Sequence, residues 1–278
     1  MTSATETSSY LQRTFTIDQT AAMATAMEDD GFALIPGVLS HAEVQEARQE
    51  IGRLRSFHFD NKDDPLRDHF KCIFNRSPYW LRYLDQPGIV DAAEAVMGPE
   101  CHIIGMTAWR SRPQGPDGKQ GADPHGIHTD HQLHEVPEHL LRSGEVRMPT
   151  LLATAHYYLD DVDIDLCPTW VLPASHLIGR RADSVPPERR MAWAGHELQP
   201  VLCRAGDVLL FRSELWHSGS RNRTLDRTRH LVQVHYGHRS MAQKFSPYLD
   251  FRFNAEVISC ANPRQRRLLG DHPKSNYD

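Results

Sequence analysis

Arg204-Ala-Gly-Asp-Val-Leu-Leu-Phe-Arg-Ser-Glu-Leu-Trp-His217-Ser-Gly-Ser-Arg-Asn222 is the stretch on which the architecture turns. Gly206-Asp207 is a turn signal, and Val208 to Phe211 is an apolar run too short for a helix and suited to a buried strand. A short connection then delivers His217 just before Gly219. Strand-length runs recur from Cys101 onward, between Pro, Gly and Asp punctuation: His102 to Arg110, Ile127 to Gln132, Leu151 to Leu159, Thr169 to Leu172 and Leu231 to Tyr236. Such spacing predicts an antiparallel sandwich or barrel with helices packed outside it.

The N-terminal third has a different texture. Residues 1–16 are rich in Ser and Thr and lack a core pattern, as expected of a mobile tail. Thr16 or Asp18 is a candidate cap for a helix running to about Asp30, where Asp30-Gly31 stops it. A short strand follows over Phe32 to Pro36. A second helix opens at Ser40 or His41 and runs to Arg53 or Leu54, with Val44, Ala47 and Ile51 at helical spacing. Residues 55–75 are polar and read as a long loop. Ile89 to Val96 predicts a short helix ended near Gly98. With no internal repeat or linker in view, residues 17–278 are expected to form a single domain. The segment 174–200, rich in Pro, Arg and Glu, reads as a surface excursion able to overhang a pocket.

Composition narrows the function classes. The formal net charge is -5, so no global electrostatic case exists for a nucleic-acid or membrane partner. The five cysteines are scattered, none in a C-x-x-C pair, and no N-terminal stretch resembles a signal peptide. These features favour a reduced, cytoplasmic enzyme acting on a small molecule.

His128-Thr-Asp130 carries the chemistry. On a strand, side chains one residue apart share a face, so His128 and Asp130 would project together. A third ligand from a distant strand, His217, would complete one face of a coordination sphere. Two histidines and one carboxylate with open positions opposite describe a non-haem Fe(II) oxygenase centre. With seventeen histidines in the chain, an H-x-D alone is weak evidence. Downstream, Arg227 and Arg229 precede the strand Leu231 to Tyr236. An Arg there can offer a planar fork to the far carboxylate of a dicarboxylic keto acid.

In order along the chain, several segments resemble the phytanoyl-CoA dioxygenase family of Fe(II)/2-oxoglutarate oxygenases. They are Asp29-Asp-Gly-Phe-Ala-Leu-Ile-Pro-Gly-Val-Leu39, the H-x-D, Leu172-Pro-Ala-Ser-His176, Ala205 to Phe211, His217 and Arg229. The resemblance implies a mainly β fold with flanking helices, built on a double-stranded β-helix (jelly-roll, cupin-like) core. It implies Fe(II) on His128, Asp130 and His217, and 2-oxoglutarate held by Arg229 and Thr169. Arg229 is preferred to Arg227 because His235 follows it by six residues, as in the family. O2 would be the second co-substrate, with succinate and CO2 released and an unactivated C–H bond oxidised, most simply by hydroxylation. Related halogenases lack the carboxylate, so Asp130 favours oxygenation. Two departures fall on turns: Ala174 stands for a glycine in Pro173-Ala-Ser-His176, and Leu166-Cys167-Pro168 lacks another. His176 belongs to that turn and is not read as a ligand.

Plainer readings stand beside these. His131 and His134 leave a zinc site conceivable, and His125 and His235 read as supporting or core histidines. Trp109 and Trp170 are candidate substrate contacts, with Trp170 equally suited to ordinary core. The loop 111–126 leads into the H-x-D and is a candidate for substrate selection. A metal-dependent (Zn/Mn) jelly-roll hydrolase or isomerase, and a non-catalytic cupin-like binding protein, are the rival classes.

Overall fold

The computed structural model describes residues 13–57, 60, 64–116, 125–131, 134–245 and 250–274. The strands are β1 (Phe32–Ile35), β2 (Arg67–Lys71), β3 (His102–Ser111), β4 (His125–His128), β5 (Leu152–Tyr158) and β6 (Thr169–Val171). They continue with β7 (Ala192–Trp193), β8 (His196–Glu197), β9 (Gln199–Val201), β10 (Val208–Arg212), β11 (His217–Gly219) and β12 (Arg229–Gly237). The helices are α1 (Thr20–Asp29), α2 (His41–Arg53), α3 (Ile89–Met97), α4 (Glu138–Ser143), α5 (Ala255–Cys260) and α6 (Pro263–Leu268).

Two antiparallel sheets face each other, as the jelly-roll expectation requires. The larger has the order β1-β10-β5-β12-β3-β2 and the smaller β4-β11-β6-β9. Alternation assigns the two faces of the larger sheet. Val208 and Leu210 of β10, with Val232, Val234 and Tyr236 of β12, join one cluster with Met23, Val44, Ile51 and Val90 of the helices. Leu209, Phe211 and Leu231 point the other way, into a second cluster with Val171 and Val201 of the smaller sheet. Val208 to Phe211 therefore shows no polar alternation, being buried on both faces. Gly206 supplies the turn before β10 at φ +100°, where a Cβ would meet the Leu39 carbonyl oxygen at 2.4 Å.

Helix α2 begins as expected: Ser40 Oγ accepts from Glu43 N at 3.3 Å while Ser40 N donates to Glu43 Oε2 at 2.7 Å, a reciprocal cap. Helix α1 departs from expectation. Its cap position is Gln19, without a side-chain cap bond, while Thr16 Oγ1 donates to Asp18 instead. The polar stretch 55–75 is not all loop, because Arg67–Lys71 forms the edge strand β2 paired with β3. Residues 1–12 of the expected tail and 117–124 of the loop before the H-x-D lie outside the described residues.

The two turns that depart from the family pattern keep a glycine-like backbone. Cys167 sits at φ +39° and Ala174 at φ +58°. A Cβ in the left-handed region costs about 1–2 kcal/mol, partly offset because glycine loses more entropy on folding. Ala174→Gly is therefore expected to raise stability by up to about 1 kcal/mol. A higher urea midpoint at unchanged slope is the result to look for.

Candidate active site

Strands β4 and β11 pair antiparallel with His128 directly opposite His217. Past β4 the chain is held by Ser213, whose carbonyl accepts from Asp130 N (3.0 Å) and His131 N (3.3 Å). Asp130 Oδ1 thereby lies 3.7 Å from His128 Nε2 and 3.6 Å from His217 Nε2. The far nitrogens are also fixed: His128 Nδ1 bonds the Gly126 carbonyl at 2.8 Å, and His217 Nδ1 the Leu215 carbonyl at 2.9 Å. A carbonyl only accepts, so each Nδ1 carries a proton, and Nε2, on the side of Asp130, is the nitrogen that the neutral ring can offer to a metal. Burial opposes ionisation of Asp130, but the neighbouring His217 holds its carboxyl well below the usual range. The Asp130 carboxylate in turn raises His128. His217 is 7 % exposed whereas the side chains of His128 and Asp130 are 48 % and 31 % exposed, so the group is backed by protein on one side and open on the other.

The open side faces a cavity of ≈ 1240 Å³ between the sheets. Its wall is the inner face of the larger sheet, read in cross-strand rows. Arg67, Ser111 and Arg229 form one row; His69, Trp109 and Leu231 the next; Lys71, Thr107 and Gln233 the third. All nine line the cavity, along with His235, His156 and Thr169. Trp109 stacks on His69 (3.7 Å between centroids, 11° between planes) and donates from Nε1 to Gln233 Oε1 at 2.7 Å. Gln233 Nε2 contacts His156 Nε2 at 2.7 Å. Burial keeps His156 and His235 neutral, the latter pushed down to about 4. Thr169 Oγ1 accepts from Tyr158 at 2.9 Å. Arg229 is buried; one terminal nitrogen donates to the Cys167 carbonyl at 2.5 Å, while its Nε has no partner among the described residues.

The Phytanoyl-CoA dioxygenase (PhyH) family profile matches residues 27–231 of the chain. The chain belongs to the PhyH family. That family is one of Fe(II)/2-oxoglutarate-dependent oxygenases. A curated relative, dioxygenase af480 of Aspergillus fumigatus, is 24% identical over 274 residues, spanning 95% of this chain and 80% of its own length. Among solved structures, HygX of Streptomyces hygroscopicus with nickel, 2-oxoglutarate and hygromycin B bound aligns with TM-score 0.60 and 19% identity, over 80% of this chain and 88% of that one. The nogalamycin-biosynthesis epimerase SnoN, in complex with Fe3+, alpha ketoglutarate and nogalamycin RO, gives TM-score 0.59 and 20% identity over 80% and 85%. The carbocyclase SnoK of the same biosynthesis gives TM-score 0.59 and 20% identity over 82% and 87%. At such identities the structures speak for the fold, the jelly-roll core.

The residues of this PhyH-family chain fit the family's metal and keto acid. Among the described residues, His128, Asp130 and His217 are the only group of three or more His, Cys, Asp or Glu whose ligand atoms lie close enough to share an ion, all within 4.8 Å of one another. The partnerless Nε of buried Arg229 is the orphan donor a bound carboxylate would satisfy. Arg227 is placed elsewhere, in an exposed pair with Asp163 at 2.7 Å.

Other expectations are corrected. Trp170 does not line the cavity; alternation on β6 turns Thr169 inward and packs Trp170 against Ile127, Leu172 and Trp216. The segment 174–200 contributes nothing to the cavity wall. His131 and His134 join no ligand group, and His176 Nε2 bonds the Glu28 carbonyl at 2.8 Å. The side chain of His125 lies outside the described residues. What the sequence did not reveal is the far wall, formed by Arg67, His69 and Lys71 of β2 and by Lys244, Phe245 and Phe251 beyond β12. Only the alternation of Arg67, His69 and Lys71 signalled it, and on the opposite face that strand offers a single apolar residue, Phe70, to the core.

Proposed function

We propose that the chain is an Fe(II)/2-oxoglutarate-dependent oxygenase that oxidises, in the first instance hydroxylates, a C–H bond of a small metabolite or natural-product intermediate. Succinate and CO2 are the co-products. The observation that carries this is the locking of both imidazoles by backbone carbonyls, which aims two lone pairs and one carboxylate at a single point on the wall of the cavity that holds Arg229. His128, Asp130 and His217 would hold Fe(II), and Arg229 with Thr169 the far end of 2-oxoglutarate. Bound iron and keto acid supply the oxidising chemistry. The chain's own contribution is placement and exclusion of water. Buried His156 and His235 stay neutral, so they line the site without adding charge. Gln233 is held by Trp109 and Thr107, and orients His156.

Trp109 supports the idea of a substrate contact, lying on the cavity wall stacked with His69. The largest buried cluster draws on residues from Phe15 to Leu269, which supports one oxygenase domain. Five free cysteines suit a reducing cytoplasm. Among the described residues no helix is long and apolar enough to cross a membrane.

The test needs no prime substrate. Anaerobically purified protein given Fe(II), 2-oxoglutarate and O2 is expected to form succinate slowly, and to stop when iron is chelated. If metal binds but neither succinate nor an Fe(II)–keto acid absorption band forms, the Zn/Mn hydrolase and cupin-like binding classes take its place.

A further inference from the structure

Gly105 opens the cavity face of β3. It sits in the interior of a ten-residue strand, where the register against β12 shifts, Gly105 facing His235 while Ile103 faces Tyr236; strand glycines mark such bulges or a close approach to the backbone. Its φ is not positive, so the backbone does not demand it. Space does not demand it either: a Cβ there would meet nothing nearer than His235 Cδ2 at 3.9 Å and Lys244 Cδ at 4.0 Å. The missing side chain leaves a hollow on the cavity face of the strand. Its rim is His235, paired with Gly105 across β12, and Lys244, whose N–H donates to the Ile104 carbonyl at 2.7 Å just past the end of β2.

The hollow adjoins the metal group on the side away from Arg229. Asp130, His235 and Lys244 line one small void there, and Gly105 lies three rows from Arg229 along the sheet. The two intervening rows, His69, Trp109 and Leu231 and then Lys71, Thr107 and Gln233, are the stretch a keto acid held by Arg229 would cover. Lys244 is beyond it. Arg67 and Arg76, two other cations of the cavity, are paired with Asp64 and Asp60. Lys244, like Lys71 in the row before it, has no ion pair among the described residues, although Asp130 and Asp250 both line the cavity. An ammonium without an ion pair among the described residues, beside a reaction centre, is a ready partner for an anion. Trp109, Phe245 and Phe251 give the same cavity an apolar, flat-sided wall.

We infer that the prime substrate is an anion with an apolar ring or chain, seated over Gly105 with its negative group on Lys244. Gly105 sets the depth of the seat and Lys244 its charge preference; both rest on the oxygenase assignment above for the role of the molecule bound.

The probes are 2-naphthoate and the uncharged 2-naphthamide, titrated against full-length protein loaded with Ni(II) and saturating 2-oxoglutarate, with the heat of binding as signal. The carboxylate should bind tighter than the amide by about fivefold, the upper range for a partly solvated ion pair. Lys244→Gln should remove that preference, and Lys71→Gln should leave it. Gly105→Leu should weaken both probes by about tenfold or more by filling the hollow, while Gly105→Ala keeps the wild-type thermal midpoint. Equal binding of the two probes, a preference that survives Lys244→Gln, or unchanged binding in Gly105→Leu overturns the inference. Keto acid binding is read separately from its absorption band with Fe(II). Its absence sinks the oxygenase assignment, and the probe titration repeated without keto acid still decides whether Lys244 selects anions.

Discussion

Asp130→Ala should abolish iron-dependent succinate formation, with a fall of more than about 100-fold. Changes to groups that merely orient a ligand already cost 10–100-fold in metal affinity or activity, and Asp130 is proposed as a ligand itself. Its carboxylate oxygen is the point on which both Nε2 atoms converge, at 3.7 and 3.6 Å. It is also the only negative charge in the group, and the carbonyl partners commit the Nδ1 of each imidazole, which leaves Nε2 as the nitrogen for a metal. Without it, a dication would face two neutral ligands and lose its charge compensation. Fold stability should change little, because the Asp130 side chain is 31 % exposed and the backbone bonds to Ser213 remain. Metal content after dialysis, succinate yield and the thermal midpoint separate these effects. Full activity in Asp130→Ala would sink the triad.

The contrast between what was legible and what was not follows from which surfaces are apolar. Strands β5, β10 and β12 bury one face under the helices, and their apolar runs announced them. The H-x-D was legible as a ligand pair, but the expected strand over Ile127 to Gln132 stops at His128, and the bonds from Asp130 N and His131 N to the Ser213 carbonyl, not the strand period, bring Asp130 to the group. Strand β2 was not, because Arg67, His69 and Lys71 face the cavity while the other face holds Asp68, paired with Arg110 and Arg112, and a single core residue, Phe70. No apolar periodicity exists there to find. Lys244 and Phe245 reach the site by tertiary placement alone, after the last strand. The choice of Thr169 over Trp170 needed the register of β6 against β9 and β11, which sequence alternation leaves open by one residue. The glycine-like turns at Cys167 and Ala174 show the reverse case: the backbone conformation persists where its favoured residue does not.

Arg229→Ala should raise the dissociation constant for 2-oxoglutarate by about 30-fold to several thousand-fold, the range for truncating one partner of a buried, hydrogen-bonded charge pair (about 2–5 kcal/mol). Arg229 begins β12 in the register opposite Ser111, where Arg67 flanks the same row. Its guanidinium is buried, one terminal nitrogen is committed to the Cys167 carbonyl, and Nε is left without a partner. A fork fixed on one side and unsatisfied on the other is preorganised for a carboxylate. Arg229→Lys keeps the charge but not the fork, so it should fall between wild type and Ala. Arg227→Ala is the internal control: its pair with Asp163 is exposed and outside the cavity, so keto acid binding should stay within about twofold. Metal affinity measured without keto acid should be unchanged in all three, since none touches the triad. An unchanged dissociation constant in Arg229→Ala, or a larger loss in Arg227→Ala, would move the carboxylate's anchor elsewhere. Lys71 would be examined next, because it shares the cavity face of β2 with Arg67 and, like Lys244, has no ion pair among the described residues.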